Sequence, residues 1–194
     1  MKPIFAIAVA LAITACDREQ TKVVAPPPAP APQAPAAQAV KPPGPPPLTP
    51  QGWGPITMEM THDQAVAALG KVKADASTRD QDWLACHMIR PESPDGVWIM
   101  VEEDRVTRVS VESQATGVAS DRGVKVGDTA AAVKTAYPTG LIETPHKYEA
   151  APAAYLTWWA KPGVAGIRYS IGSDGKVASI AAGTPSIEYV EGCS

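Results

Sequence analysis

The sequence predicts an α+β domain of two tandem helix-plus-antiparallel-strand repeats, which together form a curved sheet with the helices on one face. Residues 54–70 align with residues 122–138 at a constant offset that superimposes aliphatic, small and threonine positions. Alternating β-branched runs and turn sequences follow both segments, as expected for strands. A single helix layer covers one face of such a sheet, so two joined halves bury one continuous apolar face.

Each aligned segment carries the signals of a helix of two to three turns. In the first, Thr61 and Gln64 have the spacing of a capping box, in which each side chain accepts a hydrogen bond from the other residue's backbone N–H. Gly70 suits the C-terminal cap of this helix. In the second segment, either Asp128 or Thr129 begins the helix.

Three antiparallel strands are expected after each helix. The strands begin within "WLACHMIRP" in the first half and within "AAYLTWWAKP" in the second. The letters "EEDR" and "SDGK" then separate β-branched runs and predict hairpin turns, the second strongly because Asp-Gly favours a tight turn. Repeat one thus covers about residues 54–117 and repeat two about residues 122–190, within a duplicated domain of residues 51–194.

The pattern aliphatic-x-x-Gly-Met/Asp-Thr, before a short helix that ends in Leu-Gly or Tyr-Pro, resembles the BamE/SmpA-OmlA lipoprotein family. In its duplicated form the domain is similar to the β-lactamase-inhibitory-protein family, which has two helix-plus-sheet repeats and a concave sheet surface. The resemblance covers roughly residues 54–190 and implies a binding scaffold. The first copy departs from the pattern, because Glu59 stands where the second copy has Gly127.

The N-terminus has the features of a secretory signal in residues 1–15. One lysine precedes an apolar run of about ten residues, which is too short for a membrane span of about 20 residues. The exit "ITAC" resembles the lipobox of bacterial lipoproteins, which implies that Cys16 is lipidated and that its acyl chains hold the protein to a bilayer. We therefore expect a lipid-anchored protein of the bacterial cell envelope with its domain in the periplasm. Asp17 favours the inner membrane, and the choice between the two membranes stays open.

Residues 16–50 form a Pro/Ala-rich segment between the anchor and the domain. Twelve of the chain's 21 prolines fall between Pro26 and Pro50. Such a composition favours an extended polyproline conformation and does not bury a core, so we interpret the segment as a disordered stalk. A ligand for a proline-binding domain is the alternative interpretation.

The cysteines predict one disulfide bond. A secretory signal directs the chain to an oxidising compartment, where disulfides persist. Once Cys16 is assigned to lipid, Cys86 and Cys193 are the two that can pair within the chain. That bond would tie the C-terminus, in the second half, to the first strand after helix one.

The sequence contains no recognisable catalytic or metal-binding motif. His62, His87 and His146 lack the spacing of a metal site. Cys86 and His87 are adjacent in a predicted strand and so point to opposite faces, which prevents them from sharing a proton. We expect no cofactor, no metal and no catalytic residue, with an unrecognised hydrolase as the alternative. The net charge of −3 and the lack of a basic run argue against nucleic acid as a partner.

Aromatic residues mark the candidate binding surface. In "YLTWW" alternate residues share a face, so Tyr155 and Trp159 would lie on the sheet face that the helices leave open, with Trp158 in the core. The other candidates are Tyr148, His146, Arg168 and Trp98. These residues predict a non-enzymatic module that presents a concave sheet to an envelope protein, as an inhibitor or an assembly scaffold. Lectin-like binding of carbohydrate or peptidoglycan fragments is the alternative.

Overall fold

The computed structural model describes residues 44–74 and 81–193 of the chain. The expected signal segment, the lipidation site Cys16 and most of the stalk lie outside these residues. The folded part begins earlier than the expected boundary at residue 51, because Leu48 lies in a strand and is fully buried. Its backbone N–H donates to the Ala119 carbonyl, and its carbonyl accepts from Asp121. Leu48 lies among prolines, so the amino-acid composition of this segment does not predict that it joins the core.

The described residues contain a small sheet and a large one, both antiparallel. The small sheet comprises β1 (Leu48–Thr49), β2 (Gly52–Trp53) and β3 (Ile56–Thr57). The large sheet comprises β4 (Cys86–Ile89), β5 (Val97–Glu102), β6 (Arg105–Val111), β7 (Leu141–Pro145), β8 (Ala154–Lys161), β9 (Ala165–Ile171) and β10 (Val177–Gly183). Its strands lie in the order β4-β5-β6-β10-β9-β8-β7, so β4 and β7 form the edges. Helices combined with antiparallel sheets make the fold α+β, as the sequence predicts.

Helices α1 (His62–Leu69) and α3 (Ala130–Ala136) begin where the sequence predicts them. Thr61 and Gln64 form the complete capping box of α1, and the N–H of Gly70 donates to the Val66 carbonyl. Thr129, rather than Asp128, caps α3. A third short helix, α2 (Gln81–Ala85), includes residues 83–85, which the sequence assigns to strand material, and a 3₁₀ helix spans Pro185–Glu188. None of the helices in the described residues has the length and apolar character needed to cross a bilayer.

The hydrophobic core lies between one face of the large sheet and the helices α1 and α3. Ala65 and Val133 are the fully buried residues of these two helices. The small sheet adds Trp53 and Ile56. The large sheet contributes its alternating aliphatic residues, among them Ile99, Val106, Val109, Val111, Ile167 and Ile171. Both helices therefore cover the same face, and the strand alternation leaves the other face to different side chains.

The second half has four strands where the sequence predicts three. The additional strand β7 pairs with β8 at the edge of the sheet. Pro145 ends it, a position that suits proline because an edge strand has one side without ladder hydrogen bonds. Lys134 of α3 lies 2.8 Å from Glu143 of β7 and ties this strand to the helix. The sequence of β7 alternates too briefly to indicate a strand.

The predicted cysteine pair is present: Cys86 of β4 and Cys193 are joined in a disulfide with a Cα–Cα distance of 5.3 Å. The bond links residues 107 positions apart, so it restricts the unfolded chain strongly. Cys86 and His87 lie on opposite faces of β4, because the cysteine bonds to the C-terminus while the histidine packs with α1 and α2.

Replacing both Cys86 and Cys193 by serine should lower the free energy of unfolding by roughly 4 to 5 kcal/mol in the chain-entropy limit. Chemical denaturation of the full chain measures the loss, with Cys16→Ala as the control that should leave the midpoint unchanged. Mass spectrometry of non-reduced peptides should detect no free thiol at Cys86 or Cys193. Two titratable thiols at these positions in freshly isolated protein would contradict the bond.

Candidate functional site

The face of the large sheet that points away from the core, called the open face below, carries mainly small and polar side chains. On this face, residues that are paired on neighbouring strands lie side by side and form rows across the sheet. One row runs from β5 to β8 through Trp98, Ser110, Ala181, Arg168 and Thr157. The next row joins Ser179, Ser170 and Tyr155. The open face is therefore the place where the predicted surface residues of different strands meet.

The C-terminal segment, defined as residues 184–193, crosses this face. Ile187 is 1% exposed and lies with Trp159 over Gly166, where an added Cβ would come within 3.0 Å of both side chains. The segment ends at the disulfide between Cys193 and Cys86 on the edge strand β4. The face that the sequence leaves open is thus partly covered by the chain's own C-terminus.

Arg108 of β6 binds the backbone of the C-terminal segment. Its Nη1 donates to the carbonyls of Ser186 at 3.1 Å, Tyr189 at 3.4 Å and Glu191 at 3.4 Å. The side chain is 7% exposed, and this burial lowers the pKa of Arg108, while nearby Glu102 acts in the opposite direction. The guanidinium stays charged because its ordinary pKa is so high. Its Nε is buried without a hydrogen-bond partner among the described residues.

Two clefts flank the C-terminal segment. The larger, about 420 Å³, contains the disulfide, Glu102 and Lys147. The smaller, about 240 Å³, lies between the segment and the open face and is lined by both arginines, Arg108 and Arg168. Tyr148 and Tyr189 line both clefts.

Four of the predicted surface residues come together at the smaller cleft. The guanidinium of Arg168 lies 3.9 Å from the ring centre of Tyr155, and the His146 ring stacks on the same tyrosine at 4.6 Å. Tyr155 is consequently only 7% exposed. Tyr148 is 63% exposed, and its hydroxyl donates to Glu191 Oε1 at 2.6 Å. That hydrogen bond raises the pKa of Tyr148, and burial lowers the pKa of Arg168.

The two remaining predicted residues lie apart from the clefts. Trp159 is half-buried beside Ile187. Trp98 is half-buried on β5, with the guanidinium of Arg90 at 5.0 Å from its ring. Trp158 faces the core, as strand parity predicts, at 5.3 Å from the Tyr137 ring.

A second cluster of chemistry-bearing residues lies on the other side of the sheet, and sequence spacing gives no indication of it. His62 Nδ1 and His87 Nε2 are 2.8 Å apart, although 25 residues separate them in sequence. His87 Nδ1 is 2.8 Å from the Trp83 carbonyl, and the Trp83 ring stacks on His87 at 3.6 Å. His87 is buried, so this hydrogen-bonded pair ties α1 and α2 to β4. The one sequence signal for this cluster is the alternation of side chains along β4, which indicates that His87 faces the helices.

Tyrosine rings, arginines and serine hydroxyls line the clefts of the open face. Within residues 44–74 and 81–193, no group of three or more His, Cys, Asp or Glu side chains is arranged to hold a metal ion. The disulfide occupies both cysteines of the domain, so neither thiol is a nucleophile. No protein-family model, curated protein or solved structure matches the chain. The function must therefore be inferred from the residues of the site.

Replacing Arg108 by methionine should loosen the C-terminal segment, because three carbonyls lose their charged donor while the apolar length of the side chain is kept. Hydrogen bonds to charged groups contribute about 1.5 to 3 kcal/mol. Hydrogen exchange of the amides in residues 186–192 should accelerate at least tenfold, while exchange in β8 and β9 stays unchanged. Arg105→Met, which removes an exposed arginine of the same strand, serves as the control. Unchanged exchange in residues 186–192 would mean that the disulfide alone holds the segment.

Proposed function

We propose that this chain is a bacterial envelope lipoprotein whose domain is a non-enzymatic module that binds a partner protein. The partner would contact the surface formed by the C-terminal segment and the clefts beside it. The observation that carries the proposal is the pair of exposed tyrosines, Tyr148 at 63% and Tyr189 at 52%, which line both clefts. Tyrosine is a frequent energetic centre of protein interfaces, because its large ring has few rotatable bonds to immobilise.

The restraints on this surface support the same interpretation. The disulfide fixes one end of the C-terminal segment, Arg108 holds its backbone, and Tyr148 is hydrogen-bonded to Glu191. A surface that is ordered before binding loses less conformational entropy when the partner arrives. Both an inhibitor and an assembly scaffold would use such a preorganised surface.

We further propose that the domain consists of tandem repeats, α1 with β4 to β6 and α3 with β8 to β10. In the first half, the Glu59 N–H donates to the Val106 carbonyl at 2.9 Å and the Val106 N–H donates to the Met60 carbonyl at 2.8 Å. The aligned positions of the second half make the same two bonds, from residue 127 to 177 and from residue 177 to 128, each at 2.8 Å. These matched bonds support a common origin and the resemblance to duplicated binding scaffolds.

The pairing of the two halves supports the same relationship. A 71-residue offset aligns Val106 with Val177 and also Ser110 with Ala181. Ser110 and Ala181 are direct partners in the β6–β10 ladder. Equivalent positions that lie opposite each other are the mark of a two-fold relationship between two similar units.

The N-terminal sequence supports the location of the partner. A lipid on Cys16 would hold the protein to the bilayer, and the proline-rich residues that follow would space the domain from it. The partner would then be a protein of the cell envelope. Asp17 favours the inner membrane.

Carbohydrate recognition is the second candidate function, and the polar smaller cleft favours it. Arg168, His146 and several serines line that cleft and would hydrogen-bond to sugar hydroxyls. The Tyr155 ring is already covered, so stacking on a sugar would depend on Tyr148. Saturable binding of envelope oligosaccharides in calorimetric titration, weakened by Tyr148→Ala, would favour this candidate over the first.

Capture of partners from envelope extract on the immobilised full chain, followed by mass spectrometry, should recover a protein in stoichiometric amount. Replacing Tyr148 and Tyr189 by alanine should weaken that interaction at least tenfold, because hot-spot residues contribute about 2 kcal/mol or more each. The matched control replaces two other exposed apolar residues, Leu84 and Val164, and should retain the partner. Recovery of glycan without a stoichiometric protein would contradict the proposal.

Reciprocal substitution at the aligned positions 59 and 127 tests the duplication. Glu59 has φ 69° and Gly127 has φ 91°, so both occupy backbone space that suits glycine. Glu59→Gly should therefore raise the free energy of unfolding by up to about 1 kcal/mol, and Gly127→Glu should lower it by about 1 kcal/mol or more. An added Cβ at Gly127 has no atom within 4 Å, so the second effect reports backbone conformation alone. Chemical denaturation measures the free energies of unfolding. Equal values for both variants and the parent would refute the claim that both positions require a glycine-like backbone conformation.

A further inference from the structure

The smaller cleft contains more hydrogen-bond donors than the protein itself uses. The Arg168 guanidinium lies over Tyr155 and donates to none of the described residues. The hydroxyls of three serines on neighbouring strands line the cleft and are likewise unpaired within the described part of the chain: Ser110, Ser170 and Ser179. Ser179 and Ser170 are direct cross-strand partners, and Ser170 lies two residues from Arg168 on β9. A compact set of donors thus converges on one side of the cleft.

Two further residues add polar groups to the lining of the same cleft. Arg108, more than nine-tenths buried, lines the cleft with a buried Nε that has no partner in the described residues. His146 Nδ1 accepts the backbone N–H of Tyr148 at 3.3 Å and of Glu149 at 3.2 Å. With Nδ1 as the acceptor, the ring N–H lies at Nε2, which makes that nitrogen a donor.

We propose that the smaller cleft binds a small polar molecule through its carboxylate or phosphate group, with Arg168 and the adjacent serines as the main ligands. A guanidinium pairs with such oxyanions through two parallel hydrogen bonds, and these are among the strongest polar contacts in proteins. Hydroxyl donors at Ser170 and Ser179 would complete the coordination of the oxyanion. Two cationic groups also favour an anion: Arg108 is buried and Arg168 is half-buried, and in addition to burial the charge of Arg168 lowers the pKa of Arg108 even though Glu102 acts in the opposite direction.

The volume of the cleft and its two carboxylates indicate which class of ligand it would bind. A volume of about 240 Å³ is far larger than one water molecule needs and suits a molecule of the size of a monosaccharide or an amino acid. The small side chains of Ser110, Ala181 and Ser179 line the cleft together with residues of the C-terminal segment. Glu112 and Glu191 also line the cleft and would accept hydrogen bonds from hydroxyl or amino groups of the ligand. A sugar acid has both kinds of group.

Calorimetric titration of the full chain, purified in detergent, tests the proposal with three probes at constant ionic strength: glucuronate, glucose and inorganic phosphate. Glucuronate and glucose share a ring and differ in the carboxylate. We expect glucuronate to bind at least about tenfold more tightly than glucose, since a charge-assisted bond contributes about 1.5 kcal/mol or more. Saturable binding of phosphate would support recognition of the oxyanion alone.

Two variants and a control assign the binding to the cleft. Arg168→Gln removes the main ligand and should weaken glucuronate binding at least about tenfold. Ala181→Leu fills the cleft without changing its charge and should have a similar effect. Arg90→Gln removes an arginine that also lies over an aromatic ring, but outside the cleft, and should change affinity less than about twofold.

Four results would overturn the proposal: equal affinity for glucose and glucuronate, no saturable binding of any probe, equal losses in Arg168→Gln and Arg90→Gln, or full binding by Ala181→Leu. The test does not depend on the partner protein. A protein that binds the tyrosine surface while the cleft takes no probe would leave the proposed function standing and remove this inference.

Discussion

A sheet has two faces, and in this domain the helices α1 and α3 cover one of them only. Ala65 and Val133 direct α1 and α3 onto the same side, because both segments carry their apolar residues on a single stripe. The other face needs a different cover wherever it holds apolar residues. Met100 and Ile187, both 1% exposed, lie on this side and are sheltered by the C-terminal segment and the strands beneath it. The position of the chain's end is thus a consequence of the one-sided helix layer.

The cover depends on a buried charge. Removing a guanidinium from water costs several kcal/mol, and the cost is offset only when hydrogen bonds and an opposite charge surround it. The carbonyls of the C-terminal segment supply the hydrogen bonds to Arg108, and Glu102 supplies the opposite charge. Glu102 in turn accepts the hydroxyls of Thr107 and Ser186. The arginine and the segment therefore stabilise each other, and the disulfide at Cys193 limits how far the segment can leave.

The sequence predicted the features that depend on local chemistry. The capping box at Thr61, the turn at Asp-Gly, the opposite faces of Trp158 and Trp159 and the pairing of Cys86 with Cys193 all follow from neighbouring residues or from elimination. The missed features depend on tertiary contacts. Strand β7 is held by its pairing with β8, and the strand that carries Leu48 is held by a hydrogen bond from the Leu48 N–H to the Ala119 carbonyl. Neither partner is visible in the local sequence.

In the candidate site, too, the features that depend on local sequence were predicted and those that depend on tertiary contacts were missed. Parity and composition predicted that Tyr155, Arg168, His146 and Tyr148 belong to one surface, and the structure brings these four together. That the Tyr155 ring is covered could not be predicted, because the cover comes from Arg168 on the neighbouring strand and from a loop histidine. The His62–His87 pair was missed for the same reason, since a helix start and a strand meet there only after folding.

Glu191 connects the two proposed binding surfaces. Its carbonyl accepts from Arg108, which lines the smaller cleft, and its carboxylate accepts from Tyr148, which belongs to the exposed surface. A ligand in the cleft that takes hydrogen bonds from Arg108 would compete with that carbonyl, and a ligand hydroxyl that donates to the carboxylate would compete with Tyr148. Either contact changes how firmly the C-terminal segment is held where a partner would dock. Binding in the cleft and binding on the tyrosines are therefore expected to be thermodynamically linked, and any such linkage must act equally in both directions.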